Sequence, residues 1–307
     1  MAWTFNDIPD QTGRTAIVTG ANTGIGRETA RMLALKGARV VLACRNIDKG
    51  AAAVRDILAE RPSGGARVEA LDLSDLESVA AFAEAIARRH ERLDLLINNA
   101  GVMVPPLSRT KQQFELQFGT NHLGHFALTA RLLPLIRRTP ASRIVVVSSG
   151  AQNFGRIDFD DLNWERRPYR AWLAYSQSKL ANTLFALELH RRLAATGDDV
   201  RATAAHPGWT GTDLQRTAGL VRFFNPMFAM SPADGAMPTL RAATDPAAEG
   251  ATYWGPSRFF EMNGPPAPAR LPARARDAAV AARLWEVSEQ LTGVSFPLAP
   301  ARRQDVA

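Results

Sequence analysis

Six short apolar and β-branched runs, at 15–18, 39–43, 67–71, 93–97, 143–147 and 200–204, punctuate the first two-thirds of the chain. Between them, apolar positions recur at helical spacing over 26–36, 48–60, 76–90, 111–137 and 174–196. Runs that stay apolar instead of alternating belong to strands buried on both faces, and helices of this length between them serve as crossovers. The pattern predicts an α/β fold with a doubly wound parallel sheet and helices on both faces. Beyond Pro207 it loosens. Residues 207–230 read as a long, partly apolar loop, 231–244 as a helix, 264–276 as a Pro/Ala/Arg-rich connector and 277–291 as a last helix. No repeat or linker precedes residue 207, so 1–307 is read as a single domain.

Composition changes this picture little. With 46% hydrophobic and 22% charged residues, the chain can bury a sizeable core. One cysteine, Cys44, excludes an internal disulfide framework. The first residues lack the basic-then-apolar order of a signal peptide, and no run of eighteen apolar residues occurs. A cytoplasmic location with no membrane span is the expectation. The net charge of +7 is spread over the chain without a basic, aromatic-interleaved stripe, so nucleic acid is not expected as a partner.

The first run ends in Thr19-Gly20-Ala21-Asn22-Thr23-Gly24-Ile25-Gly26, and a helical pattern follows at once. A helix N-terminus carries unpaired N–H groups and partial positive charge, and glycines let a pyrophosphate approach the backbone. The same turn could be a tight connection only, but its place between first strand and first helix favours nucleotide binding and a Rossmann-type fold. The cofactor-binding half would span about 13–150, the catalytic and substrate half about 151–307. NAD sites of this kind carry an acid at the end of the second strand. Here Cys44-Arg45-Asn46 stands there, and Arg45 suits the 2′-phosphate of NADP(H), favouring it over NAD(H). The alternative for Arg45 is a surface arginine on a strand–helix turn.

Tyr175 and Lys179 stand four residues apart, on one face of the 174–196 helix. A phenol of ordinary acidity is a poor acid–base catalyst near neutrality, and a neighbouring cation would lower its pKa. With three tyrosines and four lysines in 307 residues, chance supplies about 0.04 such pairs.

With these motifs the chain, from about residue 13 to 254, resembles the short-chain dehydrogenase/reductase superfamily, in particular its retinol-dehydrogenase-like and protochlorophyllide-reductase-like relatives. The resemblance implies an oxidoreductase moving hydride between nicotinamide and a carbonyl or alcohol. It implies that Tyr175 exchanges a proton with the substrate oxygen, Ser149 hydrogen-bonds that oxygen, Lys179 binds the nicotinamide ribose and lowers the tyrosine pKa, and Asn121 completes a proton relay. Asp72 and Leu73 would contact adenine, and Asn99, Ala100 and Gly101 would line the cofactor. Pro207, Gly208, Thr210 and Thr212 would hold the nicotinamide end. Singly, Ser149 could be a turn residue, Asn121 a polar helix residue and Lys179 a solvated charge; their joint order argues otherwise.

One departure stands out. Ser149 and Tyr175 are separated by an insertion at 155–172, whose Asp161-Leu162-Asn163-Trp164 run is similar to one in the retinol-dehydrogenase-like branch. It is expected to fold beside the active-site mouth without parting the catalytic groups. His122 and His125 have a spacing that metals can use, but no Cys or acid lies nearby, so packed roles are expected. Val102, Met103, Phe154, Trp209 and the apolar stretch from Leu220 to Phe228 are candidates to line an apolar small-molecule site. The 208–230 loop could equally be a lid, an interface or a membrane contact. A nucleotide sensor without turnover and an epimerase or dehydratase of the superfamily's extended branch are the competing readings. The intact Ser149, Tyr175 and Lys179 set weighs against the first, the longer glycine turn and the chain length against the second. A homo-oligomer stays open.

Overall fold

In the computed structural model, which describes residues 2–210 and 230–298, one eight-stranded sheet carries the chain. Its strands are β1 (Thr15–Thr19), β2 (Arg39–Cys44), β3 (Gly65–Ala70), β4 (Leu95–Asn98), β5 (Arg143–Val147), β6 (Arg201–Ala205), β7 (Tyr253–Arg258) and β8 (Asn263–Pro268). They lie in the order β3-β2-β1-β4-β5-β6-β7-β8, all parallel except β8. The helices are α1 (Gly24–Leu35), α2 (Ile47–Ala59), α3 (Leu76–Arg89), α4 (Leu116–Phe118), α5 (Gly124–Arg137), α6 (Ala171–Ala195), α7 (Pro232–Thr244) and α8 (Ala278–Thr292).

Alternate residues of the central strands feed two separate cores. Ile17, Leu96, Ile144 and Val146 pack into one, with Phe126, Phe185 and Trp285 from the helices on that face. Ala16, Val18, Leu95, Ile97 and Val145 pack into the other, against α1, α2 and α7. Burial on both faces is why these strands read as unbroken apolar runs. Phe126 is fully buried, with ring centroids of Phe185, Trp285 and Phe296 at 5.3, 5.3 and 4.9 Å. Phe126→Ala is expected to lower unfolding stability by about 3–5 kcal/mol in chemical denaturation, the usual cost of deleting a buried ring.

The amino ends of the strands are tied by charge. Asp94, 1% exposed just before β4, accepts from the Thr15 amide at 2.8 Å and from Arg92 at 3.0 and 2.6 Å. Arg143 and Arg201, at the starts of β5 and β6, donate to the carbonyls of Ala242 and Asp245 and of Pro246 and Ala248 at the end of α7. The opposite, carboxyl ends are left for a ligand, as the topological switch between β1 and β4 requires.

Three expectations are corrected. Residues 264–276 are not a plain connector: β7 and β8 form an antiparallel pair, Trp254 facing Pro268 and Pro256 facing Pro266. Prolines hide a strand from pattern reading and are tolerated because β8 is the sheet edge. The helix expected over 111–137 starts later. Thr110 and Phe114 close a turn, and the Glu115 carboxylate caps the Phe118 amide at 2.7 Å. Between α4 and α5, Gly119–Leu123 is a π turn, with the Gly124 amide bonded to the Gly119 carbonyl. Finally, α6 starts at Ala171, three residues before the expected position.

Candidate active site

The turn after β1 is built for an approaching anion. Gly20 has φ +65°, and a Cβ there would stand 2.9 Å from Ala100 Cα. A Cβ on Gly26 would come within 2.6 Å of the Gly20 carbonyl oxygen, so only glycine lets α1 start this close to the strand. Thr23 is the N-cap of α1 but makes no side-chain cap bond, which leaves first-turn amides as donors. The floor of the turn is Asn99-Ala100, whose two amides each reach the Thr19 hydroxyl at 2.9 Å, while Asn99 Nδ2 donates to the Thr19 carbonyl at 2.8 Å.

This turn forms one wall of a cleft of about 290 Å³. Gly20, Asn22, Thr23, Gly24 and Ile25 line it, with Asn99, Ala100 and Gly101 beneath and Val147, Ser148, Tyr175, Lys179 and Pro207 opposite. Residues from four strand ends and α6 thus converge, over more than 180 positions of sequence. Val147 and Ser148 were not anticipated; their signal was adjacency to Ser149 at the strand end.

Tyr175 and Lys179 lie one turn apart on α6, both nearly buried, with Lys179 Nζ 5.7 Å from the phenol ring centre. The Ser149 side chain stands near the Tyr175 phenol and favours its ionised form. Ser148 is committed elsewhere: its hydroxyl donates to the Lys179 carbonyl at 2.7 Å. Of the two serines, Ser149 is therefore the one facing the phenol. Burial pushes the phenol up to about 12, and Ser149 opposes that rise. The expected lowering by Lys179 is absent, because the ammonium is turned to the Val147 carbonyl at 3.2 Å and burial holds its own pKa down to about 8.

The stability consequence has a definite sign. Lys179 releases its proton near 8 when folded and near 10.5 when unfolded. Below pH 8 the fold therefore carries the full cost of burying the charge, and stability rises as pH passes from 8 to 10.5. Lys179→Met is expected to stabilise the fold by roughly 1–3 kcal/mol near neutrality, a gain that fades by about pH 10.5. Urea denaturation at the two pH values measures it; an equal gain at both would show that packing, not charge burial, is responsible.

Asn121 sits in the π turn with its side chain fully used. Oδ1 accepts from the Val102 amide at 2.8 Å, and Nδ2 donates to the Val102 carbonyl at 3.0 Å and to Ser178 Oγ at 2.9 Å. It braces the chain after Gly101, where a Cβ would lie 3.2 Å from Asn121 Oδ1 and 3.5 Å from Lys179 Nζ. His122 and His125 are fully buried, His122 facing Ser288 Oγ at 2.8 Å. Among the described residues no group of acids, cysteines and histidines could hold a metal.

The insertion folds onto the protein without parting Ser149 from Tyr175. Asp161 accepts from the amides of Glu165, Arg166 and Arg167, closing a tight loop whose Arg167 guanidinium lies 3.7 Å over the Trp164 ring. Asn163 anchors it through Arg109 and the Glu115 amide, and Gln177 Nε2 donates to the Leu162 carbonyl at 3.0 Å. Beyond it, the rings of Phe154, Trp172 and Tyr175 follow one another at 6.5 and 5.9 Å, with Phe154 63% exposed.

Other expected residues stand at the same carboxyl edge but outside the cleft lining. Arg45 is exposed between β2 and α2, with no hydrogen bond or ion pair among the described residues. Asp72 holds the turn after β3, accepting from the Ser74 amide and hydroxyl at 2.9 and 2.6 Å, and Leu73 is buried beside Gly124. Gly208 takes φ +69° beside Pro256, and Thr210 Oγ1 donates to the Pro207 carbonyl at 2.9 Å. Thr212 and the apolar stretch from Leu220 to Phe228 lie outside the described residues. No helix among those described is long and apolar enough to cross a membrane.

The chain is similar to known proteins over most of its length. The family model described as short chain dehydrogenase matches residues 14–220. Retinol dehydrogenase 13 of Homo sapiens is 44% identical over 294 residues, 93% of this chain and 86% of its own length. Retinol dehydrogenase 12 of Homo sapiens is 43% identical over 92% of this chain and 88% of its own. A crystal structure of an uncharacterized protein from Mycobacterium paratuberculosis superposes with a TM-score of 0.83 at 46% identity, covering 97% of this chain and all of that one. A short chain dehydrogenase from Shigella flexneri complexed with NADP gives 0.64 at 28% identity, over 80% of this chain and 97% of its own.

Proposed function

The chain belongs to the short chain dehydrogenase family, in its retinol-dehydrogenase-like branch, and from that premise we propose an NADP(H)-dependent oxidoreductase acting on an apolar carbonyl or alcohol. The observation that carries the reading is that Tyr175 and Lys179 face the glycine turn across one cleft, with Ser149 beside the Tyr175 phenol. The Cβ-free cradle at Gly20, Gly26 and Gly101 and the uncapped amides of α1 fit a dinucleotide. When bound, NADPH supplies the hydride. Tyr175 then donates its phenolic proton to the substrate oxygen, and Ser149 donates a hydrogen bond that stabilises charge developing there. Lys179, with a pKa near 8, returns the proton from the cleft wall. In oxidation the same groups work in reverse.

Arg45 supports the phosphorylated cofactor: it is exposed, unengaged among the described residues, and no carboxylate flanks it at position 44 or 46. The Phe154–Trp172–Tyr175 series supports an apolar substrate, because it leads an apolar surface outward from the reacting phenol. The curated relatives named above are retinol dehydrogenases, so a retinoid aldehyde heads the substrates to try.

The test is NADPH binding followed by NADPH consumption with a panel of aldehydes, retinal and long-chain aldehydes included. Saturable turnover supports the reading. Tight NADPH binding with no turnover across the panel would favour a nucleotide-binding regulator, and absence of binding would overturn the cofactor site itself.

A further inference from the structure

We propose that His125 is a positioning residue of the reaction centre, bracing the Asn121 carbonyl with one ring nitrogen and the cofactor floor, through Thr19, with the other. The proposal rests on the oxidoreductase reading of the cleft. His125 Nδ1 lies 2.9 Å from the Asn121 carbonyl oxygen, and Nε2 lies 2.9 Å from Thr19 Oγ1. The Thr19 hydroxyl is in turn what the amides of Asn99 and Ala100 bond to. One fully buried ring thus joins the π turn that carries Asn121 to the turn that lines the cleft, across 106 positions of sequence.

The directions of these bonds follow from the inventory of donors. A carbonyl only accepts, so Nδ1 carries the hydrogen. Thr19 Oγ1 receives two amide N–H groups, and its own hydrogen goes to Nε2 at 2.9 Å in preference to the Ile97 carbonyl, which lies at 3.4 Å. A neutral ring with hydrogen on Nδ1 alone satisfies every atom; an imidazolium would turn the Thr19 hydroxyl to the longer contact with the Ile97 carbonyl at 3.4 Å. The surroundings agree. The titratable groups facing the ring among those described are Lys179 from α6 and His122 from the π turn, and burial together with the Lys179 charge keeps the ring neutral.

A buried histidine could be there only to fill space. An aliphatic or phenyl side chain would fill it without leaving two polar contacts to satisfy, and such contacts cost stability when imperfect. What the imidazole adds is a fixed distance between the Asn121 main chain and Thr19. Asn121 sets Val102 and, beside it, Gly101, the glycine that leaves room for Lys179 Nζ. Displacing the Asn121 end would disturb the chain beside Lys179, and displacing the Thr19 end would disturb the cofactor floor, with Tyr175 unchanged. Hydrogen-bond partners that orient metal ligands typically cost about 10–100-fold when removed, and a loss of the same order is expected of this brace.

Two substitutions separate the two arms. An asparagine amide nitrogen can occupy the place of Nδ1, and a glutamine amide can reach the place of Nε2. His125→Phe is expected to lower kcat about 10–100-fold and weaken NADPH binding. His125→Asn should recover kcat but not NADPH affinity; His125→Gln should recover affinity but not kcat. Nitrogen NMR of histidine-labelled protein gives an independent readout: a neutral Nδ1–H ring whose signals do not move between pH 5 and 8. An Nε2–H ring, or a ring that titrates in that range, overturns the proposal even if His125→Phe fails to fold. NADPH binding and turnover left unchanged by all three variants overturn it alone, whereas a wild-type protein that binds no NADPH overturns the oxidoreductase reading with it.

Discussion

Tyr175→Phe is expected to lower kcat by about 100- to 10,000-fold while leaving NADPH affinity within a few fold of wild type, the range typical of a lost general acid. The substitution keeps the ring, which packs beside Trp172 at 5.9 Å on a helix held by the insertion, so the cleft keeps its shape. What goes is the proton itself and the hydroxyl that Ser149 faces. No neighbouring group can replace it: Ser148 is bonded to the Lys179 carbonyl, and Lys179 Nζ is turned to Val147. Steady-state kinetics with the best aldehyde and a fluorescence titration of NADPH measure the two quantities separately. A kcat near that of wild type would remove Tyr175 from the chemistry.

The second large effect concerns the cofactor. Arg45→Asp is expected to weaken NADPH binding by roughly 10- to 100-fold, the worth of a charge-assisted hydrogen bond lost and replaced by repulsion. NADH binding should improve, because a carboxylate at this strand end can accept from the ribose hydroxyls. Arg45 is exposed, so its attraction is screened by salt, and the wild-type preference for NADPH should shrink as ionic strength rises. Titrations of both nucleotides at low and high salt measure this. Equal affinities in the wild-type protein, unaffected by the substitution, would mean that the 2′-phosphate is not read at Arg45.

How much of this was legible in the sequence follows from the range of each interaction. Five of the first six strands announced themselves because both faces are buried, the edge strand β3 by its short apolar run alone, and the glycine turn because its chemistry is local. The Tyr175–Lys179 pair showed through helical spacing. Burial did not show, and burial is what sets both pKa values and cancels the simple picture of a lysine acidifying its neighbour. The strands β7 and β8 were hidden by their prolines, and the π turn by its lack of any side-chain period. His125 looked like half of a weak metal spacing, since its partner Thr19 lies far away in the chain. Long-range contacts of that sort leave no pattern in a single sequence.

The arrangement of the sheet has a consequence for how the protein tolerates change. Glycine turn, floor, serine and tyrosine all stand at one rim of the sheet, while Asp94, Arg143 and Arg201 stand at the other. Inherited variation would therefore sort by rim. Changes at the ligand rim would leave the protein abundant but inert; changes at the arginine rim would leave each surviving molecule competent but make fewer of them. Measured across many variants, quantity and quality would fall on opposite edges of the same eight strands.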